Sequence, residues 1–308
     1  MEQRRLGTSG LKVSAIGLGC NNFGMRISAQ ETQTVVDAAL DNGITFFDTA
    51  DVYGGTKSEE FLGAALKGKR DKAVVATKFA MGENAGGSRR YVVSAVEASL
   101  KRLATDRIDL YQMHRPDPDT PIDETLRALD DLVRDGKVLY LGNSNFAGWQ
   151  IADAHWRSQT SGLERFVSAQ NNYSLLERNV EREVLPACEK FGLGFLPFFP
   201  LASGLLSGKY SRGEAPPEGT RLAAWGPRGA AALSDKNFDQ IEKLDAWARD
   251  NGHTILELAF AWILGHPVVS SVIAGATRAD QIVANAKAGD WKLTPEQVAE
   301  VTKLVSKD

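Results

Sequence analysis

The sequence predicts an α/β protein: one (β/α)8 TIM barrel over residues 1–308, with an N-terminal β-hairpin and two extra helices. Three observations carry that expectation. Short runs of β-branched and aromatic residues alternate eight times with segments of helical period. Polar residues suited to chemistry follow the C-terminal ends of those runs, where parallel α/β barrels build their sites. A length of 308 residues, 43% of them apolar, fits one barrel with a sizeable core and does not demand a second domain.

Residues 3–14 read as a hairpin turning at Thr8-Ser9-Gly10 and placed to plug one end of the fold. Residues 15–19 form the first core strand. Gly17-Leu18-Gly19 invites a dinucleotide-fingerprint reading, but the next glycine comes only at Gly24 and Asn22 stands where it is needed, so a Rossmann unit is rejected. The two glycines instead permit close approach of a ligand or of the loop 20–25. Ser28 and Glu31 make a capping box for a helix that turns Val35, Val36, Ala39 and Leu40 to one face. Ile44-Thr45-Phe46-Phe47 is a buried strand that ends on Asp48. A short loop then delivers Tyr53, Gly54-Gly55 breaks the chain, and a helix begins near Thr56 or Ser58.

The third strand, 73–77, ends on Lys78, and Ser88 caps a helix burying Val92, Val96, Leu100 and Leu103. The fourth, 108–113, ends on His114. Thr120, Pro121 and Asp123 supply cap, N1 proline and N3 acid for a helix with the stripe Ile122, Leu126, Leu129 and Val133. Strand 138–141, helix 148–158, strand 166–169 ending on Gln170, helix 180–191 and strand 193–196 follow. The segment 201–233, rich in Gly, Pro, Ser and Arg and carrying Trp225, reads as a long lid or binding loop. Helices 235–249 and 254–264, strand 270–274, a helix with Thr277 at its N-cap and Asp280 at N3, and a helix 295–306 capped by Thr294 complete the chain.

Composition excludes several classes. The formal net charge is −3 with acids and bases interspersed, which argues against nucleic acid or an anionic membrane as partner. No N-terminal apolar region resembles a signal peptide, and residues 193–206 and 255–264 are too short or too broken to span a bilayer. Two cysteines, Cys20 and Cys188, make no disulfide framework and fit a reducing, cytoplasmic setting. Four histidines without an HxH or HExxH pattern give no metal site.

Taken singly, Asp48 reads as a turn cap, Tyr53 as packing, Lys78 as a solvated strand end and His114 as a backbone-bonded structural residue. Together they bring an acid, a phenol, an ammonium and an imidazole from the ends of three successive strands. That set suits proton transfer to a carbonyl oxygen. A lysine beside a tyrosine stabilises the phenolate, an acid keeps the buried ammonium paired, and a histidine orients the carbonyl.

The segments DTADVYG, SEEFLGAAL, RIDLYQMHRPD, GNSNF and PLASGLLSGKY, in this order and spacing, resemble the aldo-keto reductases over nearly the whole length. The resemblance implies a (β/α)8 barrel that reduces aldehydes or ketones with NADPH preferred and NADH possible. It makes Asp48, Tyr53, Lys78 and His114 the catalytic residues, with Tyr53 the general acid. It assigns Ser144, Asn145 and Gln170 to the nicotinamide amide. Phe198 takes the ring-stacking position, usually tyrosine, and Phe199 a position often serine. Pro200, Leu201, Gly204, Leu206 and Lys209 belong to the pyrophosphate segment. Gly19, Cys20 and Asn21 join Asp48 on the cofactor side.

At the adenosine end the pattern G-x-x-[KR]-x-x-Q-x-x-x-N is filled by Gly275, Arg278, Gln281 and Asn285, with Thr277 beside them and Ala284 where an acid is frequent. Arg278 is expected at the 2′-phosphate. The substrate pocket is expected to use Asn21, Phe23, Tyr53, His114, Arg115, Phe199 and Trp225. The partner is a small-molecule carbonyl compound, and the sequence does not give an oligomeric state. The alternative is a cofactor-binding regulatory subunit of the same fold, with little turnover.

Overall fold

The computed structural model describes residues 1–305. The chain opens with two antiparallel strands, β1 (Gln3–Arg5) and β2 (Lys12–Ser14), the expected hairpin. Eight parallel strands follow in the order β10-β3-β4-β5-β6-β7-β8-β9. They are β3 (Ile16–Gly19), β4 (Phe46–Asp48), β5 (Val74–Phe79), β6 (Ile108–Met113), β7 (Val138–Ser144), β8 (Phe166–Gln170), β9 (Gly194–Phe195) and β10 (Val272–Gly275). Bridges pairing Phe195 with Val269 and Phe198 with Ile273 join β9 to β10 and close the ring. It is a (β/α)8 barrel, as expected.

Two cores hold it. Inside the barrel, Phe46, Ala76, Leu110, Leu196 and Ile273 meet Leu6 and Val13 of the hairpin, which therefore seals the end opposite the strand C-termini. Outside, Phe47, Val75, Phe79, Tyr111 and Met113 turn towards the helices. The alternation is the period-2 consequence of strand geometry. Gly17 serves packing rather than a ligand: a Cβ there would stand 2.7 Å from Phe46 Cδ1 and 2.9 Å from Ser271 Oγ.

The outer helices are α1 (Ala29–Asp41), α2 (Lys57–Ala65), α3 (Arg89–Leu103), α4 (Ile122–Arg134), α5 (Gly148–Ser161) and α6 (Val184–Phe191). After β9 come α7 (Arg221–Ala224), α8 (Pro227–Ala232), α9 (Asp235–Asp250) and α10 (Ile255–Leu264), and after β10 come α11 (Ala279–Ala288) and α12 (Pro295–Leu304). The Ser28 capping box and the Ser88 and Thr294 caps form as read from the sequence, and Thr254 adds a capping box that was not anticipated.

Several boundaries differ from expectation. The segment 201–233 is not one loop: it holds a 3-10 turn at Ala202–Ser207 and the short helices α7 and α8, started by the Thr220 cap and by Pro227 at N1. Helix α4 begins one residue later than expected, with Pro121 at the cap position and no side-chain cap bond. The helix expected over 180–191 is split into a 3-10 turn, Asn179–Arg182, and α6. Arg278, not Thr277, stands at the cap of α11, which puts Asp280 at N2; its carboxylate pairs with the Arg278 guanidinium. Ser306, the expected end of α12, lies outside the described residues.

Candidate active site

Inner-face alternation decides what reaches the barrel mouth. Phe46 and Asp48 share the inner side of β4, Ala76 and Lys78 that of β5, and Leu110 and Gln112 that of β6, with His114 two residues further on. Tyr53 arrives on the turn between β4 and α2. That turn is fixed by backbone bonds from Thr49 N to Ala76 O (2.9 Å) and Ser58 N to Tyr53 O (3.2 Å). The Ser58 hydroxyl adds bonds to Thr49 Oγ1 and Cys20 O, both 2.8 Å. At Gly54, φ is +59° and a Cβ would meet Phe23 O at 2.5 Å, so the turn before α2 requires glycine.

Lys78 Nζ donates to Asp48 Oδ2 at 2.6 Å and to Thr49 O at 2.9 Å, and its side chain is fully buried. The other Asp48 oxygen accepts from Gln112 Nε2 (3.0 Å) and Gln170 Nε2 (2.9 Å). The carboxylate is thus saturated and rigid. Lys78 Nζ lies 5.1 Å from the centre of the Tyr53 ring, and the His114 ring stands edge-on to it at 5.7 Å and 78°. The four residues converge on one point at the strand C-termini.

Their electrostatics differ in one respect from the sequence argument. Burial pushes the Tyr53 phenol above its usual range, and the Lys78 ammonium offsets only part of that. The resting phenol is protonated rather than acidified. Burial opposes the Lys78 charge, but the Asp48 carboxylate and the Tyr53 oxygen beside it together outweigh burial and hold Lys78 above the usual lysine value. Burial, with the positive charges of Lys78 and Arg115 adding to it, lowers His114 to about 3. It is a neutral imidazole at physiological pH, and its buried Nδ1 has no protein partner.

A cleft of about 830 Å³ opens from this point and runs to the start of α11, a size suited to a large ligand. Asp48, Tyr53, His114, Ser144, Asn145 and Gln170 line its floor. Asn145, at φ +60°, donates to His114 O (2.9 Å) and to Ser144 Oγ (3.1 Å), and Ser144 Oγ donates to Gln170 O (2.9 Å). Phe198, Phe199, Pro200, Leu201, Gly204 and Lys209 form one wall, with Gly19, Asn21 and Gly275 opposite. Thr277, Arg278, Gln281 and Asn285 close the far end.

The model of the Aldo/keto reductase family matches residues 15–306. The chain belongs to the aldo/keto reductase family. It is 39% identical to a protein of Bacillus subtilis described as an uncharacterized oxidoreductase, over 96% of this chain and 93% of the relative. It is 37% identical to a probable voltage-gated potassium channel subunit beta of Oryza sativa, over 99% and 97%. It is 34% identical to the versiconal hemiacetal acetate reductase of Aspergillus parasiticus, over 97% and 95%. It is an NAD(P)H-dependent oxidoreductase.

The residues of this aldo/keto reductase fit such a dinucleotide. Arg26, Lys209 and Arg221 line the cleft, and none makes an ion pair among the described residues. Lys209 is pulled below its usual value by burial and by the charges of Arg26, Arg221 and Arg278, and Arg221 by burial and Arg26. Converging cations without a counter-ion suit a polyanion. Gly204, at φ +101°, leaves the space that a Cβ would take from Lys209 Nζ, 2.9 Å away.

Some expected residues stand elsewhere. Cys20, Phe23 and Leu206 are buried behind the cleft wall, Phe23 beneath the Gly54 turn. Arg115 is off the cleft; its Nε donates back to Ala80 O at 3.2 Å, and its charge acts on His114 from there. Trp225 is also off the cleft, with the Arg228 guanidinium 5.0 Å over its ring. Gln112 beneath the floor, and Arg26, Met81 and Arg221 in the cleft lining, were not anticipated. Gln112 has a signal, its inner-face position two residues before His114. Arg26, on the segment before α1, and Arg221, the first residue of α7, have none, because only tertiary packing brings them together.

Proposed function

We propose that this chain reduces the carbonyl group of aldehydes and ketones to the alcohol, using NADPH in preference to NADH, with Tyr53 as general acid. The observation that carries the reading is the position of Lys78: 2.6 Å from Asp48 and 5.1 Å from the Tyr53 ring centre, fully buried beneath the cleft floor that Asp48 and Tyr53 line. Bound in the cleft, the reduced dinucleotide supplies the hydride. Negative charge then builds on the carbonyl oxygen, and the Tyr53 hydroxyl delivers the proton there. The paired Lys78 ammonium stabilises the phenolate left behind, and Asp48, held by two glutamines, keeps that ammonium charged and fixed. Neutral His114 is a hydrogen-bond donor that orients the oxygen, not a proton source.

Arg26, Lys209, Arg221 and Arg278 would hold the phosphates, and a surplus of cations supports preference for the more highly charged NADPH. Ser144, Asn145 and Gln170 would take the nicotinamide amide, with Phe198 against its ring. Two buried free cysteines support a reducing, cytoplasmic location. Among the described residues no helix is long and apolar enough to cross a membrane.

Consumption of NADPH and NADH against a panel of aromatic, aliphatic and sugar-derived carbonyls tests this directly. The expected result is faster oxidation of NADPH with at least one aldehyde. A second reading follows from the relatives named as channel beta subunits: a cofactor-binding regulator with little turnover. Quenching of NADPH fluorescence without oxidation by any member of the panel would favour it.

A further inference from the structure

Behind the turn that carries Tyr53 lies a second cluster of ionisable groups, which takes no part in the proposed proton transfer. Asp51 is two residues before Tyr53, and its backbone N–H donates to Lys78 O at 3.1 Å, so it joins the tyrosine turn to the lysine strand. Its side chain is off the cleft and 8% exposed. Oδ2 is 3.5 Å from the Tyr91 hydroxyl, at the limit of a hydrogen bond, and Oδ1 has no partner.

The groups facing it come from three elements. Glu59 of α2 is fully buried; its Oε1 accepts from Thr77 Oγ1 and its Oε2 from Arg102 Nε at 2.6 Å. Tyr91 and Arg102 come from α3. Tyr111 of β6 adds a buried hydroxyl without a partner. Two buried carboxyls therefore face one guanidinium, which is bonded to Glu59. Ionised, Asp51 would be a buried charge with no cation of its own. Accordingly burial, then the Glu59 charge, raises Asp51 to about 7, against the weaker pull of Arg102, the Val52 N–H and Tyr91.

We propose that Asp51 is a positioning residue for Tyr53: uncharged, it lets the turn of residues 49–54 pack against α3, and on ionising it draws that turn towards water and takes the phenol out of line with Lys78. The inference rests on Tyr53 being the proton donor. The Tyr53 phenol itself titrates far higher, so the two ionisations are separable.

Asp51→Asn, isosteric and unable to ionise, tests it in the full chain. Turnover at saturating NADPH and melting temperature are followed from pH 5.5 to 9, with Tyr53→Phe alongside. Parental kcat is expected to fall about tenfold between pH 6 and pH 8, as one ionisation near 7 requires, and Asp51→Asn is expected to lack that limb. The parent is also expected to lose melting temperature relative to the variant as pH rises towards 7 and to hold a constant gap above it. A variant that keeps the parental limb, or a melting gap that does not change with pH, overturns the proposal. If Asp51→Asn is inactive at every pH while still folded, the proposal is overturned as well. A Tyr53→Phe protein as active as the parent would instead remove the reductase reading, and this inference with it.

Discussion

The Lys78 ammonium and the Asp48 carboxylate stand 2.6 Å apart with side-chain exposures of 0% and 4%. Neither is a surface charge that happens to find a partner. Each is tolerated in the barrel because the other is there, and because Thr49, Gln112 and Gln170 satisfy what remains. Such a pair contributes less to stability than to fixing one ammonium in one place, which is what the proposed proton donor Tyr53 requires of its neighbour.

Asp48→Asn should therefore lower stability as well as turnover. Leaving a buried ammonium unpaired costs about 3–5 kcal/mol, roughly 5–8 °C of melting temperature for a protein of this size. The double variant Asp48→Leu with Lys78→Met should melt higher than Asp48→Asn, although it is inactive. Thermal denaturation of both checks this.

The lowered His114 value fixes a pH dependence of opposite sign to that of Asp51. A histidine at about 3 when folded and near its ordinary 6.5 when unfolded binds fewer protons in the folded state between those values. Its contribution is therefore fully present above pH 6.5 and is lost as pH falls towards 3. His114→Gln should flatten the melting-temperature slope across that window. Turnover should show no limb belonging to His114 above pH 5.

The unpaired cations predict how the cofactor binds. Replacing Lys209 or Arg221 by Met should weaken NADPH roughly tenfold or more, the size of a lost charge-assisted hydrogen bond. NADPH affinity of the parent should fall between 20 and 300 mM salt more steeply than that of either variant. Fluorescence titration measures both. Arg278→Ala should act mainly on NADPH and little on NADH.

A packing prediction stands apart from the chemistry. A Cβ on Gly63 would stand 2.5 Å from Leu103 O, a backbone atom at the end of α3 that cannot swing aside. Gly63→Ala should cost about 1–3 kcal/mol and lower the melting temperature by several degrees, with KM for NADPH unchanged.

The barrel was legible because its signals are local and repeated. Strand runs, Ser and Thr caps and the period-2 inner face put Asp48, Lys78 and His114 at one mouth from residue type and spacing alone. What was not legible depends on contacts between distant segments. The short helices α7 and α8 are too brief for a periodic signal. The loop geometry that turns Phe23 under Gly54, Arg115 back to Ala80 and Trp225 towards Arg228 leaves no trace in residue type. The balance at Tyr53, where burial outweighs a neighbouring ammonium, is a matter of magnitudes, and motif order does not carry them.

The most direct test of the account is Tyr53→Phe, which removes one hydroxyl and leaves the ring, Lys78 and Asp48 in place. With NADPH and the best carbonyl substrate in saturating amounts, kcat should fall by about 10²–10⁴, while NADPH affinity by fluorescence titration stays at the parental value. A Tyr53→Phe variant turning over at near the parental rate would contradict it.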